Sequence, residues 1–335
     1  MNQKILTYCT GMLLATVVWQ QAWAQTDTFG DDDWGRSGSV GLESTGRKSG
    51  SLFLRPRQED ATQQLAYARQ LEASDRLRRA GRQYNALVHR WPDSHEAAEA
   101  QLALSRLLLE RGRYERAFKE FQYLIEHHQG EFAYGEVLAY QLEAATAVKE
   151  QRRGGLLILP GFQNPERAIP LLETIVRNGP NWSQIPDIRL EIARIHENAR
   201  QYEEAVAAYE EVIIYHGRHP ATREAIFRKA ICLKQIADRH PRDETRTRSA
   251  LSALFAVLRT NPESEQAADV QVMIASLRQR LEDLHFEKAE FYDRIARKPQ
   301  AALISYREFQ QQFPASSRRE DIEKRINVLE ANAGE

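Results

Sequence analysis

Cysteine is almost missing from this chain: 335 residues hold two, Cys9 and Cys232. With Cys9 inside an N-terminal apolar run, no disulfide framework and no paired CxxC centre can form. Cys232 lies between Ile231 and Leu233 in a helical stretch, the setting of a small core residue and not of a nucleophile. Net charge is missing too. Forty-six basic residues against 47 acidic ones leave −1, so no bulk basic excess exists to hold nucleic acid. After the first apolar run no stretch is long enough to span a bilayer. There is no phosphate loop and no GxSxG, and the glycines at 35–50 have no strand before them and no helix after. His127-His128 and His216/His219 sit at helix ends without a further ligand in sequence. They are expected to meet the last carbonyls of their helices, not a metal. No cofactor and no catalytic residue is expected.

What the chain does have is a recurring helical hairpin. In Gln101–Gln129 two helices flank Arg111-Gly112-Arg113, with Leu102, Leu104, Leu108 and Leu109 on the first and Tyr114, Ala117, Phe121 and Leu124 on the second. That spacing gives each helix one apolar stripe. Isolated helices of this length are marginal in water, so the hairpin needs neighbours. Taking Ala117 as an anchor and stepping four, seven and twelve residues on gives Phe121, Leu124 and Gln129. The same steps give Ala80, Tyr84, Leu87, Pro92; Ala168, Leu172, Ile175, Pro180; Ala205, Tyr209, Val212, Gly217; Ala250, Leu254, Val257, Pro262; and Ala302, Tyr306, Phe309, Pro314. Four of the six units end in proline at one offset, where a helix must stop. Tyr114 and Tyr202, three before their anchors, complete the tetratricopeptide (TPR) pattern, a repeat of about 34 residues. The anchors lie 37, 51, 37, 45 and 52 residues apart, so some units carry longer turns or insertions. The fold class expected is all-α: a right-handed TPR-type helical solenoid of about five to six hairpins.

The ends differ. Residues 1–24 read as a cleavable signal peptide: Lys4, an apolar run over Ile5–Val18, and Ala22-Trp23-Ala24 as the cleavage site. Cys9 follows Leu6-Thr7-Tyr8 and does not form a usable lipobox. Residues 25–58 are a polar lead rich in Gly, Ser and Asp, expected to be a disordered linker, in which Asp31-Asp32-Asp33-Trp34 and Leu52-Phe53-Leu54 are candidate docking peptides. Residues 59–331 are the solenoid. Its first hairpin spans helices over about Asp60–Arg76 and Arg78–Arg90, and Asp93 or Ser94 caps the next helix. The third unit is interrupted by Gly154–Phe162. Leu156, Leu157, Ile158, Leu159 and Phe162 of this loop either tuck between repeats or form a partner contact. Asn164 is expected to cap the helix that follows. The fifth unit carries a polar insertion, Asp238–Arg248. The sixth opens on a long helical stretch, Ser264–Ala296, broken or bent within it. Ser317–Ala331 is a polar terminal cap.

One more recurrence bears on function. Fifteen and eleven residues before three anchors stand Leu65 and Arg69, Leu102 and Arg106, and Leu190 and Arg194. Four apart means one helix face. In TPR arrays first helices line the concave surface, so these six residues are the candidate peptide-binding groove, with arginines to fork onto a carboxylate.

The stretches HRWPDSHEAAEAQLALSRLLLERGRYERAFKEFQYLIEHH, QYEEAVAAYEEVIIYHGRHPATREAIFRKAICL and ADVQVMIASLRQRLEDLHFEKAEFYDR with AALISYREFQQQFPASSRREDIEKRINVLEA resemble the BamD (YfiO) family, the TPR component of the outer-membrane β-barrel assembly machine. Together they cover most of residues 60–331. The resemblance implies a non-enzymatic periplasmic scaffold, peripheral to the outer membrane. Its repeats at 59–216 would receive unfolded barrel precursors, and those at 217–331 would dock the barrel assembly subunit. The lack of a lipobox and the Gly154–Phe162 loop depart from the family. Two other readings stay open: a soluble adaptor of envelope or cell-division machinery, like the Tol-associated coordinators, and a helical-solenoid hydrolase of cell-wall glycan. The first wants an N-terminal coiled coil, the second a closed pocket of converging carboxylates.

Overall fold

The computed structural model describes residues 55–153 and 162–333. The signal peptide, most of the polar lead with both docking peptides, and the loop residues Leu156, Leu157, Ile158 and Leu159 lie outside them. The described residues form an all-α, TPR-type fold of thirteen α-helices. The chain divides into two compact units, Met1–Val148 and Lys149–Glu335.

In the first unit α1 (Ala61–Ala73) pairs with α2 (Leu77–Arg90), and α3 (His95–Glu110) with α4 (Tyr114–His127); α5 begins at Tyr134 and ends at Glu150. Asp60 caps α1 by accepting from the Gln63 N–H at 2.8 Å. Ser94 is the N-cap of α3 but makes no side-chain bond to the first turn. In the second unit β1 (Arg152–Arg153) and β2 (Phe162–Gln163) pair antiparallel, Arg152 opposite Gln163 and Arg153 opposite Phe162. They close the base of the inserted loop. A 3₁₀ turn at Pro165–Ala168 leads into α6 (Ile169–Asn178). Asn164 stands at the start of that turn, but, contrary to expectation, its side chain makes no cap bond. Then come α7 (Ile185–Asn198), α8 (Tyr202–Tyr215), α9 (Ala221–Arg239), α10 (Glu244–Thr260), α11 (Ala267–Glu290), α12 (Pro299–Gln312) and α13 (Arg319–Ala333).

The six anchor alanines are each 0% exposed, and all twelve of their partners four and seven residues on are buried. The small side chain lets the paired helix approach, and the larger ones fill the seam. Each such burial contributes roughly 1.5–3 kcal/mol. The expected insertion at Asp238–Arg248 is not a loop. Helices α9 and α10 run through most of it and leave only residues 240–243 as the turn. Lys234 and Arg280 both bind Asp238, at 2.6 and 2.7 Å, which lets a polar stretch stay helical. The break expected in the long sixth-unit helix is a π turn at Phe291–Ile295. The terminal helix α13 buries Ile322, Ile326 and Leu329 against Tyr306 and Phe309 and turns its charges outward, as a capping helix should.

Candidate functional site

The six groove residues lie on the first helices of three hairpins: α1, α3 and α7. Their leucines are largely core. Leu65 and Leu190 are buried and Leu102 is half-buried. The arginines reach the surface, and two of them already hold carboxylates. Arg69 pairs with Glu99 of α3. Arg194 forks onto Glu224 of α9, with Nη2 at 2.7 Å from both oxygens and Nε at 3.0 Å. That bond, ahead of the opposing effect of burial, holds the Arg194 guanidinium above its ordinary value. Arg106 is exposed, with its guanidinium 5.7 Å from the Tyr140 ring centroid. The Tyr140 hydroxyl donates to Glu136 at 2.9 Å.

These contacts expose a signal that the sequence reading passed over. Glu99, Glu136 and Glu224 each stand thirty residues after their arginine, one position along the neighbouring first helix. The Leu-x-x-x-Arg pattern is therefore half of a longer one, Leu-x-x-x-Arg followed by Glu at thirty. In the second unit the pairing extends into a chain of charges. Lys149 binds Glu191 at 3.1 Å, Glu191 meets Arg194 at 3.4 Å, and Arg228 meets both Glu224 (3.7 Å) and Glu197 (3.3 Å). Adjacent first helices are laced by alternating charge, each partner still partly open to solvent. Such pairs contribute little to stability singly. Of the three groove arginines, Arg194 is the one held in a forked geometry by its carboxylate.

Phe162 is in β2, and its backbone pairs with Arg153. The other four loop residues of that group lie outside the described ones. His127 Nδ1 is 3.2 Å from the Tyr123 carbonyl, as expected of a helix-end histidine, whereas His219 Nδ1 accepts from the Ala221 N–H at 3.3 Å. Burial first, then Arg189 and His219, holds His216 below its ordinary value, so it is neutral at pH 7. Among the described residues no group of three or more His, Cys, Asp or Glu side chains has metal-holding geometry. Cys232 is fully buried, and burial pushes its thiol up to about 12, which makes it inert.

The second unit contains an open cleft of about 520 Å³ where the α9–α10 turn meets α11, lined by Arg242, Ser276, Arg280, Asp283 and Glu287 among others. Arg280 is bound to Asp238, and Asp283 to Arg318 at 2.8 Å. The cleft is a charge-balanced seam.

Residues 163–331, half of the chain, match the family model YfiO, described as outer membrane lipoprotein. This chain belongs to the YfiO family. The match begins at the foot of the inserted loop and runs through α6 into α13, so it contains Leu190, Arg194 and the charge chain around them except Lys149. Residues 65–134 match a tetratricopeptide repeat model, which contains Leu65, Arg69, Leu102 and Arg106. A curated relative, the outer membrane protein assembly factor BamD of Caulobacter vibrioides, is 31% identical over 137 residues, covering 38% of this chain and 44% of that protein. The YfiO-family chain thus spans less than half the length of this relative. Similar solved structures include YrrB, a TPR protein with an unusual peptide-binding site (19% identity, 64% of this chain, 93% of that one, TM-score 0.32). Another is the apo quorum sensor NprR from B. thuringiensis (12%, 82%, 88%, TM-score 0.31).

Proposed function

We propose that the protein is a non-enzymatic TPR scaffold in outer-membrane protein assembly, working in the periplasm, peripheral to the outer membrane, after export by its signal peptide. The family match over residues 163–331 carries this reading; the BamD relative supports it. The partners are unfolded barrel precursors, taken up by the repeats at 59–216, and the barrel assembly subunit, docked by the repeats at 217–331.

The precursor contact is assigned to Arg69, Arg106 and Arg194 with the flanking Leu65, Leu102 and Leu190. Because Arg69 and Arg194 hold Glu99 and Glu224, recognition is an exchange: a peptide carboxylate takes the place of the resident glutamate. Exchange keeps the arginines ordered while free and costs less than ordering them on binding. The experiment is a titration with a peptide from the C-terminus of an outer-membrane barrel protein. Arg69→Ala/Arg106→Ala/Arg194→Ala should weaken binding about tenfold or more, at about 1.4 kcal/mol per factor of ten, with the helical signal intact. Glu99→Gln/Glu224→Gln should tighten it. Unchanged affinity in both variants contradicts the assignment.

A further inference from the structure

The cleft on α11 has a middle whose charges are paired and an end whose charges are not. Ser276, Gln279, Arg280, Asp283 and Glu287 recur at steps of three and four, which puts them on one face of the helix. Leu284 of α11 and Pro241 and Arg242 of the α9–α10 turn complete the lining. The turn is fixed against that face from both sides. Asp238, at the end of α9, binds Arg280 at 2.7 Å, and Glu244, at the start of α10, lies 3.1 Å from Nε2 of His285. The turn also closes on itself. The Asp243 N–H donates to the His240 carbonyl at 2.9 Å, and the Asp243 side chain accepts from the Arg246 N–H at 3.0 Å. Arg242 is therefore carried on an ordered wall of the cleft.

Arg280 is committed to Asp238 and, at 3.2 Å, to the Ala237 carbonyl. Asp283 is committed to Arg318 at 2.8 Å and accepts from Gln279 at 3.2 Å. Arg242 and Glu287 are exposed, and among the described residues neither side chain has a hydrogen bond or an ion pair. Unpaired surface charges are ordinary; these two share one concavity and are opposite in sign. That combination selects the occupant. A purely anionic ligand meets Asp283 and Glu287, and a purely cationic one meets Arg242 and Arg280. A ligand with one group of each sign suits both ends. The Arg242 guanidinium takes a carboxylate in forked geometry, and Glu287 takes an ammonium or a guanidinium. Leu284 and Pro241 offer apolar surface to the methylenes between. From Ser276 to Glu287 the helix runs about 16 Å, the reach of about five residues of extended chain. The volume of about 520 Å³ is that of a site that encloses most of a ligand of this size.

We propose that this cleft binds an extended peptide segment of a partner protein that carries one acidic and one basic side chain, the acid on Arg242 and the base on Glu287. The cleft lies among the repeats at 217–331, yet its recognition does not depend on the assembly role and survives that role's failure. The test pans the purified chain against a display library of random heptapeptides. Enrichment of peptides that pair an acid with a base within about five residues is expected. Arg242→Glu should bind the enriched peptides about tenfold or more weakly and, panned afresh, select a base in place of the acid. Glu287→Lys should weaken the same peptides similarly and select an acid in place of the base. Both positions are exposed, so each variant should keep the helical signal of the wild type. Panning without enrichment, enrichment of peptides of one sign only, or mixed-charge peptides that bind both variants as tightly as the wild type overturns the proposal. No component of outer-membrane assembly enters the screen, so its outcome is separate from that of the assembly reading.

Discussion

The tyrosines four residues after the anchors are not interchangeable with the phenylalanine and leucines that occupy the same place elsewhere. Tyr84 donates to Glu72 at 2.5 Å, Tyr209 to Glu197 at 2.6 Å, and Tyr306 to Asp293 at 3.1 Å. Each bond ties the second helix of a hairpin back to the end of its first. Burial, and then the bond to Glu72 or Glu197, drives the Tyr84 and Tyr209 hydroxyls far above the ordinary tyrosine value. Burial and Asp293 push Tyr306 up to about 12. Units with Phe121, Leu172 or Leu254 at that place have no carboxylate at the matching position, where the sequence reads Leu109, Pro160 and Arg242. The hydroxyl and its acceptor therefore come together or not at all, which is what the cost of an unpaired buried group demands. Tyr209→Phe should cost about 1 kcal/mol in chemical denaturation. The loss should shrink in a Glu197→Gln background, where the charge-assisted part of the bond is already gone.

Four turns between paired helices share one geometry, and the α9–α10 turn is not among them. The residue five before the anchor takes a left-handed backbone: Asp75 (φ 57°), Gly112 (71°), Arg200 (60°) and Arg297 (51°). The residue after it closes the helix: the Arg76 N–H donates to the Leu71 carbonyl, Arg113 to Leu108 and Gln201 to His196, each at 2.9 Å. This is a Schellman-type end, for which glycine is the natural residue. Arg200→Gly should therefore raise stability, by about 1 kcal/mol, measured as a rise in the unfolding midpoint; a fall would mean that the Arg200 side chain has a role of its own. In the last hairpin the same closure is one residue longer, with Lys298 donating to Tyr292, and the tyrosine-to-acid separation grows from 12 to 13. The π turn at Phe291–Ile295 absorbs that extra residue. It delivers Asp293 to Tyr306 and also to Arg325 of α13, at 2.6 and 2.8 Å. The Arg325 bond holds the Asp293 carboxyl below the usual carboxylate range. A carboxyl depressed in the folded state stabilises the fold above its unfolded value of about 3.9 and loses that contribution as pH falls through its lower folded value. Asp293→Asn should cost roughly 1–3 kcal/mol at neutral pH and flatten the acid limb of the stability curve.

At the scale of the whole molecule, the repeat was legible because its signal is periodic. An alanine and two large apolar residues at fixed steps name both the helix and its buried side, and all six sets are buried. The left-handed turns were legible only at Gly112, since Asp75, Arg200 and Arg297 do not advertise that backbone. The turn at 240–243 was misread as an insertion because ion pairs, and not apolar spacing, keep Asp238 and Glu244 helical. At the candidate site the arginines could be read from one helix, but their glutamates lie thirty residues away on the next, beyond a search confined to one repeat. The assembly role is tested by an affinity pull-down of the chain from solubilised envelopes, with mass spectrometry of what co-purifies. Recovery of the barrel assembly subunit is the predicted result. Recovery of cell-division or cell-wall proteins in its place would contradict it and turn the same TPR fold into an envelope adaptor.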